Sequence, residues 1–174
     1  ANVGHELKSR ARVNYILYNR LSNEATGNAS REIDLPYGGV SVILGNIIQQ
    51  GPNSENGNII GYGLEGLVNA APHEIYVVNN TLVNDRGAGS FLSLNDNASF
   101  IKVYNNIFAG PGSTLVYGGS STPDSASNKI SASISDFGFL NPSAYDYHIT
   151  NTSLVVTGGT NPGATGSGTS LLAQ

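Results

Sequence analysis

The sequence predicts an all-β chain folded as a single-domain, right-handed parallel β-helix of roughly six coils. Three observations predict it. A short phrase recurs: an apolar run, then Asn, then one residue, then an apolar residue. Turn-forming Gly and Pro clusters separate the copies. The residues of the phrase are Val, Ile, Tyr, Thr and Asn, which favour strands and turns over helices. Right-handedness follows from the general preference of parallel crossovers.

The copies appear in order. The first is Ile16-Leu17-Tyr18-Asn19-Arg20-Leu21 and the second Val42-Ile43-Leu44-Gly45-Asn46-Ile47-Ile48. The third is Tyr76-Val77-Val78-Asn79-Asn80-Thr81-Leu82 and the fourth Lys102-Val103-Tyr104-Asn105-Asn106-Ile107-Phe108. A worn copy is read at Tyr147-His148-Ile149-Thr150-Asn151-Thr152-Ser153-Leu154. Asn19, Asn46, Asn80 and Asn106 stand 27, 34 and 26 residues apart, spacings typical of solenoids. Secondary runs lie between the phrases, such as Glu32-Ile33-Asp34-Leu35 and Asn58-Ile59-Ile60-Gly61-Tyr62. Each repeat therefore supplies two or three short strands. Stacked coils lie about 4.8 Å apart. Asn suits a sharp left-handed corner, and its amide can bond the same amide one coil away. A β-sandwich also uses many short strands, but it does not require one polar residue after each apolar run.

Composition narrows the function. Only 11% of the 174 residues are charged, net charge is −4, and Cys, Met and Trp are absent. An acidic chain argues against a nucleic-acid binder. No apolar stretch reaches the ~18 residues of a membrane span. No disulfide can form. The coils are expected over residues 1–157 and a Gly-rich tail over 158–174. The chain opens without a leader pattern and without a polar cap, so further coils of the same polypeptide are expected upstream.

Charge is uneven. Residues 1–31 hold five basic and two acidic side chains, a sum of +3; the remainder holds three basic and ten acidic, a sum of −7. Along His5-Glu6-Leu7-Lys8-Ser9-Arg10-Ala11-Arg12-Val13, period-two alternation turns Leu7, Ala11 and Val13 inward and Lys8, Arg10 and Arg12 outward. In the next coil it turns Ile33 and Leu35 inward and Glu32 and Asp34 outward. Lys8 to Glu32 and Arg10 to Asp34 are both 24 residues, which predicts these pairs side by side. Such pairs form either a surface ion-pair ladder or a groove for an acidic sugar polymer. Proton removal beside a uronate carboxylate needs a base and a group that neutralises the carboxylate. Lys8 serves as base if Arg10 and Arg12 depress its pKa. Glu32 and Asp34 could hold Ca²⁺, an oxygen-seeking ion. Tyr62, Glu65 and His73 are placed along the same groove two coils on.

The Asn-corner coils, with the Glu6-Leu7-Lys8-Ser9 strand, resemble the right-handed parallel β-helix proteins of the pectate-lyase-like superfamily, over residues 4–155. The Lys8-Ser9 pair followed one coil later by Arg31 is similar to the alginate and chondroitin lyases of polysaccharide lyase family six. The resemblance implies β-elimination on a uronate-containing polysaccharide, with Lys8 as base and Arg31 as acid. It also implies a secreted, periplasmic or cell-surface protein. That family carries Ca²⁺-binding acidic residues shortly before the Lys-Ser pair; here only Glu6 is near. The alternative is a non-catalytic β-helix for carbohydrate binding or cell-surface structure. A flat Thr array of the ice-binding kind is absent from the sequence.

Overall fold

A computed structural model of the chain describes residues 4–151, 153, 155 and 157–172. Five coils of three strands each account for its core. The first coil holds β1 (Leu7–Lys8), β2 (Val13–Leu17) and β3 (Arg20–Ser22). The second holds β4 (Ile33–Leu35), β5 (Val40–Leu44) and β6 (Ile47–Gln50). The third holds β7 (Asn58–Tyr62), β8 (Glu74–Val78) and β9 (Thr81–Asn84). The fourth holds β10 (Ser90–Leu94), β11 (Phe100–Tyr104) and β12 (Ile107–Ala109). The fifth holds β13 (Ser113–Val116), β14 (Asp124–Ala126) and β15 (Lys129–Ser131). Equivalent strands pair in parallel into three five-stranded sheets, giving the right-handed parallel β-helix. The first sheet carries β1, β4, β7, β10 and β13; the second carries β2, β5, β8, β11 and β14; the third carries β3, β6, β9, β12 and β15.

Register stacks like on like. Ile33, Ile60, Leu92 and Leu115 follow Leu7 along the first sheet. Ile48, Leu82, Phe108 and Ile130 follow Leu21 along the third. These rows build one apolar core that runs along the axis. Each fully buried Leu, Ile or Phe in it contributes about 1.5–3 kcal/mol.

The predicted Asn stack exists and is longer than the sequence reading placed it. Asn19 Nδ2 donates to Asn46 Oδ1 at 3.1 Å, Asn46 to Asn80 at 2.9 Å, Asn80 to Asn106 at 3.0 Å, and Asn106 to Asn128 at 3.0 Å. Asn128 is a fifth member, hidden because Ser125-Ala126-Ser127 replaces the usual apolar run before it. The left-handed corner belongs to the residue ahead of each ladder Asn. Tyr18, Gly45, Asn79, Asn105 and Ser127 have φ between 54° and 70°. The ladder Asn supplies its amide oxygen, which takes the backbone N–H and the side-chain N–H of the coil before it.

The worn fifth copy is not a coil. Its first residues form β17 (Asp146–Ile149), which pairs antiparallel with β16 (Phe139–Asn141). Thr152 and Leu154 of that phrase lie outside the described residues. This hairpin lays Phe137, Phe139 and Tyr147 on Val83, Ile107 and Ala109, covering the outer side of the third sheet. The C-terminal segment lays Leu171 on Val42, Leu44, Tyr76 and Val78, covering the outer side of the second. The first sheet keeps an outer face that neither segment crosses, and the candidate site lies there.

Candidate functional site

Local chain geometry decides which charges share this face. Strict alternation would place Glu32 beside Asp34 and send Arg31 inward. The structure reverses both. At the start of β4, β7 and β10, two consecutive residues turn into the core: Glu32 and Ile33, Ile59 and Ile60, Phe91 and Leu92, all with no exposed surface. This break in the pleat puts Arg31 and Asn58 back on the outer face. It also puts Glu32 in the row that Ile59 and Phe91 occupy in the next two coils.

Register pairs Lys8 with Asp34, an offset of 26 where the sequence reading used 24. Asp34 is 1% exposed and gathers three side chains. Lys8 Nζ lies 2.8 Å from Oδ2, His5 Nε2 3.3 Å from Oδ2, and Arg31 Nη1 3.3 Å from Oδ1. Arg31 Nε donates to Asn58 Oδ1. The row stays open above Asp34 because its neighbour is Gly61. A Cβ there would sit 3.1 Å from the Arg31 side chain.

Glu65 closes the cluster from the loop 63–73 between β7 and β8. Lys8 Nζ donates to its Oε1 at 2.6 Å and Arg10 Nη2 to its Oε2 at 2.9 Å. Arg10 also stands 5.0 Å from the centre of the Tyr37 ring. Arg12 pins the far end of the loop, donating to Ala70 O at 3.2 Å and Ala71 O at 3.0 Å. Asn69 Nδ2 adds bonds to Ala11 O and Gly38 O. The loop thus clasps the first two coils.

Protonation follows from these contacts. Hydrogen bonds to Asp34 and then to Glu65 hold the Lys8 ammonium above the ordinary lysine range. The expected depression by Arg10 and Arg12 does not occur, because two carboxylates bond the Lys8 ammonium directly, Asp34 at 2.8 Å and Glu65 at 2.6 Å. Lys8 and Arg10 together hold Glu65 below the usual carboxylate range. Burial lowers His5, against the opposing pull of Asp34. Burial pushes Glu32 up to about 8, with Glu6, its register neighbour in the first coil, adding repulsion. Its Oε1 accepts from Asn23 Nδ2 at 2.7 Å, and its Oε2 has no partner among the described residues.

Of the residues singled out in the sequence, Lys8, Arg10, Arg31, Asp34 and Glu65 come together. Arg12 acts on the loop. Tyr62 does not reach the groove: it is fully buried, and its hydroxyl donates to Gly39 O at 2.5 Å. His73 Nδ1 accepts the Gly39 N–H at 3.1 Å and shapes the same turn. Glu32 and Asp34 face opposite sides of the strand, so they do not form the expected Ca²⁺ pair. Among the described residues no three His, Asp or Glu side chains converge on a metal position. His5, Asn58 and Tyr37 were missed. Asn58 was findable, standing 27 residues after Arg31 as Ile60 stands 27 after Ile33. The part His5 plays beside Asp34 left no signal in the sequence.

No protein-family model, curated protein or solved structure matches the chain. What defines it is the class: a right-handed parallel β-helix with an asparagine ladder and an ionic cluster on the outer face of its first sheet.

Proposed function

We propose that the chain is a non-catalytic β-helix that binds acidic polysaccharide on the outer face of the first sheet. The observation that carries this reading is the state of Lys8, a fully charged ammonium between Asp34 and Glu65. A base must first lose its proton; this nitrogen is arranged to keep it. Three cations (Lys8, Arg10, Arg31) meet two carboxylates (Asp34, Glu65), an excess of one positive charge on the face. Arg10 is half exposed and presents the planar fork that suits a uronate carboxylate. Tyr37 beside it offers a ring face to a sugar. The reading goes with a secreted, periplasmic or cell-surface protein.

A second reading keeps β-elimination. Arg31 and Lys8, the pair the resemblance requires, do meet across one carboxylate. Substrate would then have to displace Glu65 and free the amine.

Titration of polygalacturonate, alginate and glycosaminoglycan oligosaccharides by calorimetry, with ultraviolet absorbance followed in parallel, separates the two. The expected result is saturable binding to at least one polymer, weakening with salt, with flat absorbance. Arg10→Ala should weaken it about tenfold, roughly 1.4 kcal/mol. Rising absorbance from unsaturated products moves the assignment to a lyase. Absence of binding to all three ends it.

A further inference from the structure

The two carboxylates that bond Lys8 are not equivalent. Asp34 belongs to the sheet itself, is 1% exposed, and is held by Lys8, His5 and Arg31 together. Glu65 reaches in from the loop 63–73, and its side chain is 43% exposed. It gives one oxygen to each of two cations: Oε1 accepts from Lys8 Nζ at 2.6 Å and Oε2 from Arg10 Nη2 at 2.9 Å. That two-point grip is the one a free carboxylate makes with a pair of cationic donors. Arg10 lies 5.0 Å from the centre of the Tyr37 ring, so a sugar whose carboxylate sat on Arg10 would have an aromatic neighbour.

Resting on the reading of this face as a binder of acidic polysaccharide, we infer that Lys8 and Arg10 form a subsite for a single uronate carboxylate, that the Glu65 side chain fills it as an internal stand-in, and that the sugar binds by taking the place of Glu65.

The exchange is local. The other ties of the loop do not use the carboxylate: Gly63 N donates to Leu35 O at 2.8 Å, Glu65 N to Pro36 O at 3.2 Å and Asn69 N to Tyr37 O at 3.1 Å, while Arg12 holds Ala70 O and Ala71 O. One side chain rotates out while the backbone beneath it stays bonded. The swap also keeps charges paired. The incoming carboxylate meets the same two cations, Lys8 stays an ammonium, and the half-exposed Glu65 passes into water. Asp34 cannot leave in this way, because burial and three partners hold it. With Glu65 withdrawn, the cluster of Lys8, Arg10, Arg31 and Asp34 has an excess of two positive charges, which favours an anion. A neutral sugar in the same place would leave both cations without their carboxylate, so the subsite selects acidic sugars.

Calorimetric titration of galacturonate, alginate and glycosaminoglycan oligosaccharides into wild type, Glu65→Ala, Arg10→Ala and the double variant tests the inference. Circular dichroism melts check that each variant keeps the fold, and Glu65→Gln, which preserves the shape and drops the charge, replaces the alanine variant if that one unfolds. The oligosaccharide that wild type binds should bind Glu65→Ala about fivefold more tightly, equivalent to about 1 kcal/mol. In the Arg10→Ala background, removing Glu65 should tighten binding by less than about twofold, because one of the two cations is gone. The same oligosaccharide with its carboxylates methyl-esterified should show no tightening in either background. Wild-type binding that Glu65→Ala leaves unchanged or weakens overturns the inference while the binding reading stands. Equal tightening in both backgrounds also overturns it, because that is a long-range charge effect and not the release of a shared subsite. Binding by neither wild type nor Glu65→Ala overturns it together with the reading on which it rests.

Discussion

Glu32 shows most clearly what a single residue does against its surroundings. It occupies a row that two later coils fill with Ile59 and Phe91, and it has no exposed surface. Its carboxyl is held protonated up to about pH 8, against an ordinary value of 4.5, chiefly by burial. The unfolded chain releases this proton near 4.5 and the folded chain does not. Between those values the native state binds one more proton than the unfolded state, so stability must fall as pH rises from about 4.5 to about 8. Glu32→Gln removes that slope. Denaturant unfolding should show little difference between the variant and wild type near pH 4.5. At pH 8 to 9 the variant should be more stable, by on the order of a few kcal/mol. Equal slopes for the two proteins would mean that Glu32 ionises freely. The sequence made Glu32 look like an outward partner of Lys8, because a residue pattern shows period two but not the single step where two neighbours turn inward together. Ile59-Ile60 and Phe91-Leu92, two apolar neighbours in each later coil, were the legible sign of it.

The elements were legible wherever a repeat carried both an apolar run and Asn. Four ladder positions could be read from the sequence, and the fifth, Asn128, was lost with its apolar run. Tyr147–Ile149 had the run but became a hairpin strand, and Phe139 and Tyr147 pack together on the outer side of the third sheet. The loop 63–73 could not be foreseen, because its closure depends on contacts 55 and 57 residues apart, Arg10 and Lys8 with Glu65. Glu65 is held as a carboxylate by those two cations. Its lowered pKa means that the clasp is complete above the ordinary carboxylate range and is lost as pH falls through the folded value. Glu65→Gln should loosen the same loop at neutral pH. Amide hydrogen exchange is expected to quicken across residues 64–70 and to stay unchanged in β8, whose bonds do not involve Glu65. Unaltered exchange in the loop would show that Arg12 and Asn69 hold it without the acid.

At the scale of the molecule, the coil stack sets three faces and the C-terminal segment covers two of them. That division leaves the first sheet to carry charge, and its stacking brings together residues from the first, second and third coils that the sequence could only suspect. Parallel stacking fixes which cations meet which carboxylates, and those partners decide whether Lys8 is a base or a held cation. The account therefore turns on the charge of one nitrogen. Its most direct test is the pH titration of the Lys8 side chain, followed by nuclear magnetic resonance of the ammonium and its neighbouring methylene in the intact chain. A midpoint above the ordinary lysine value of about 10.4 is the result predicted. A midpoint drawn down toward neutrality would contradict the account and return Lys8 to the role of a base.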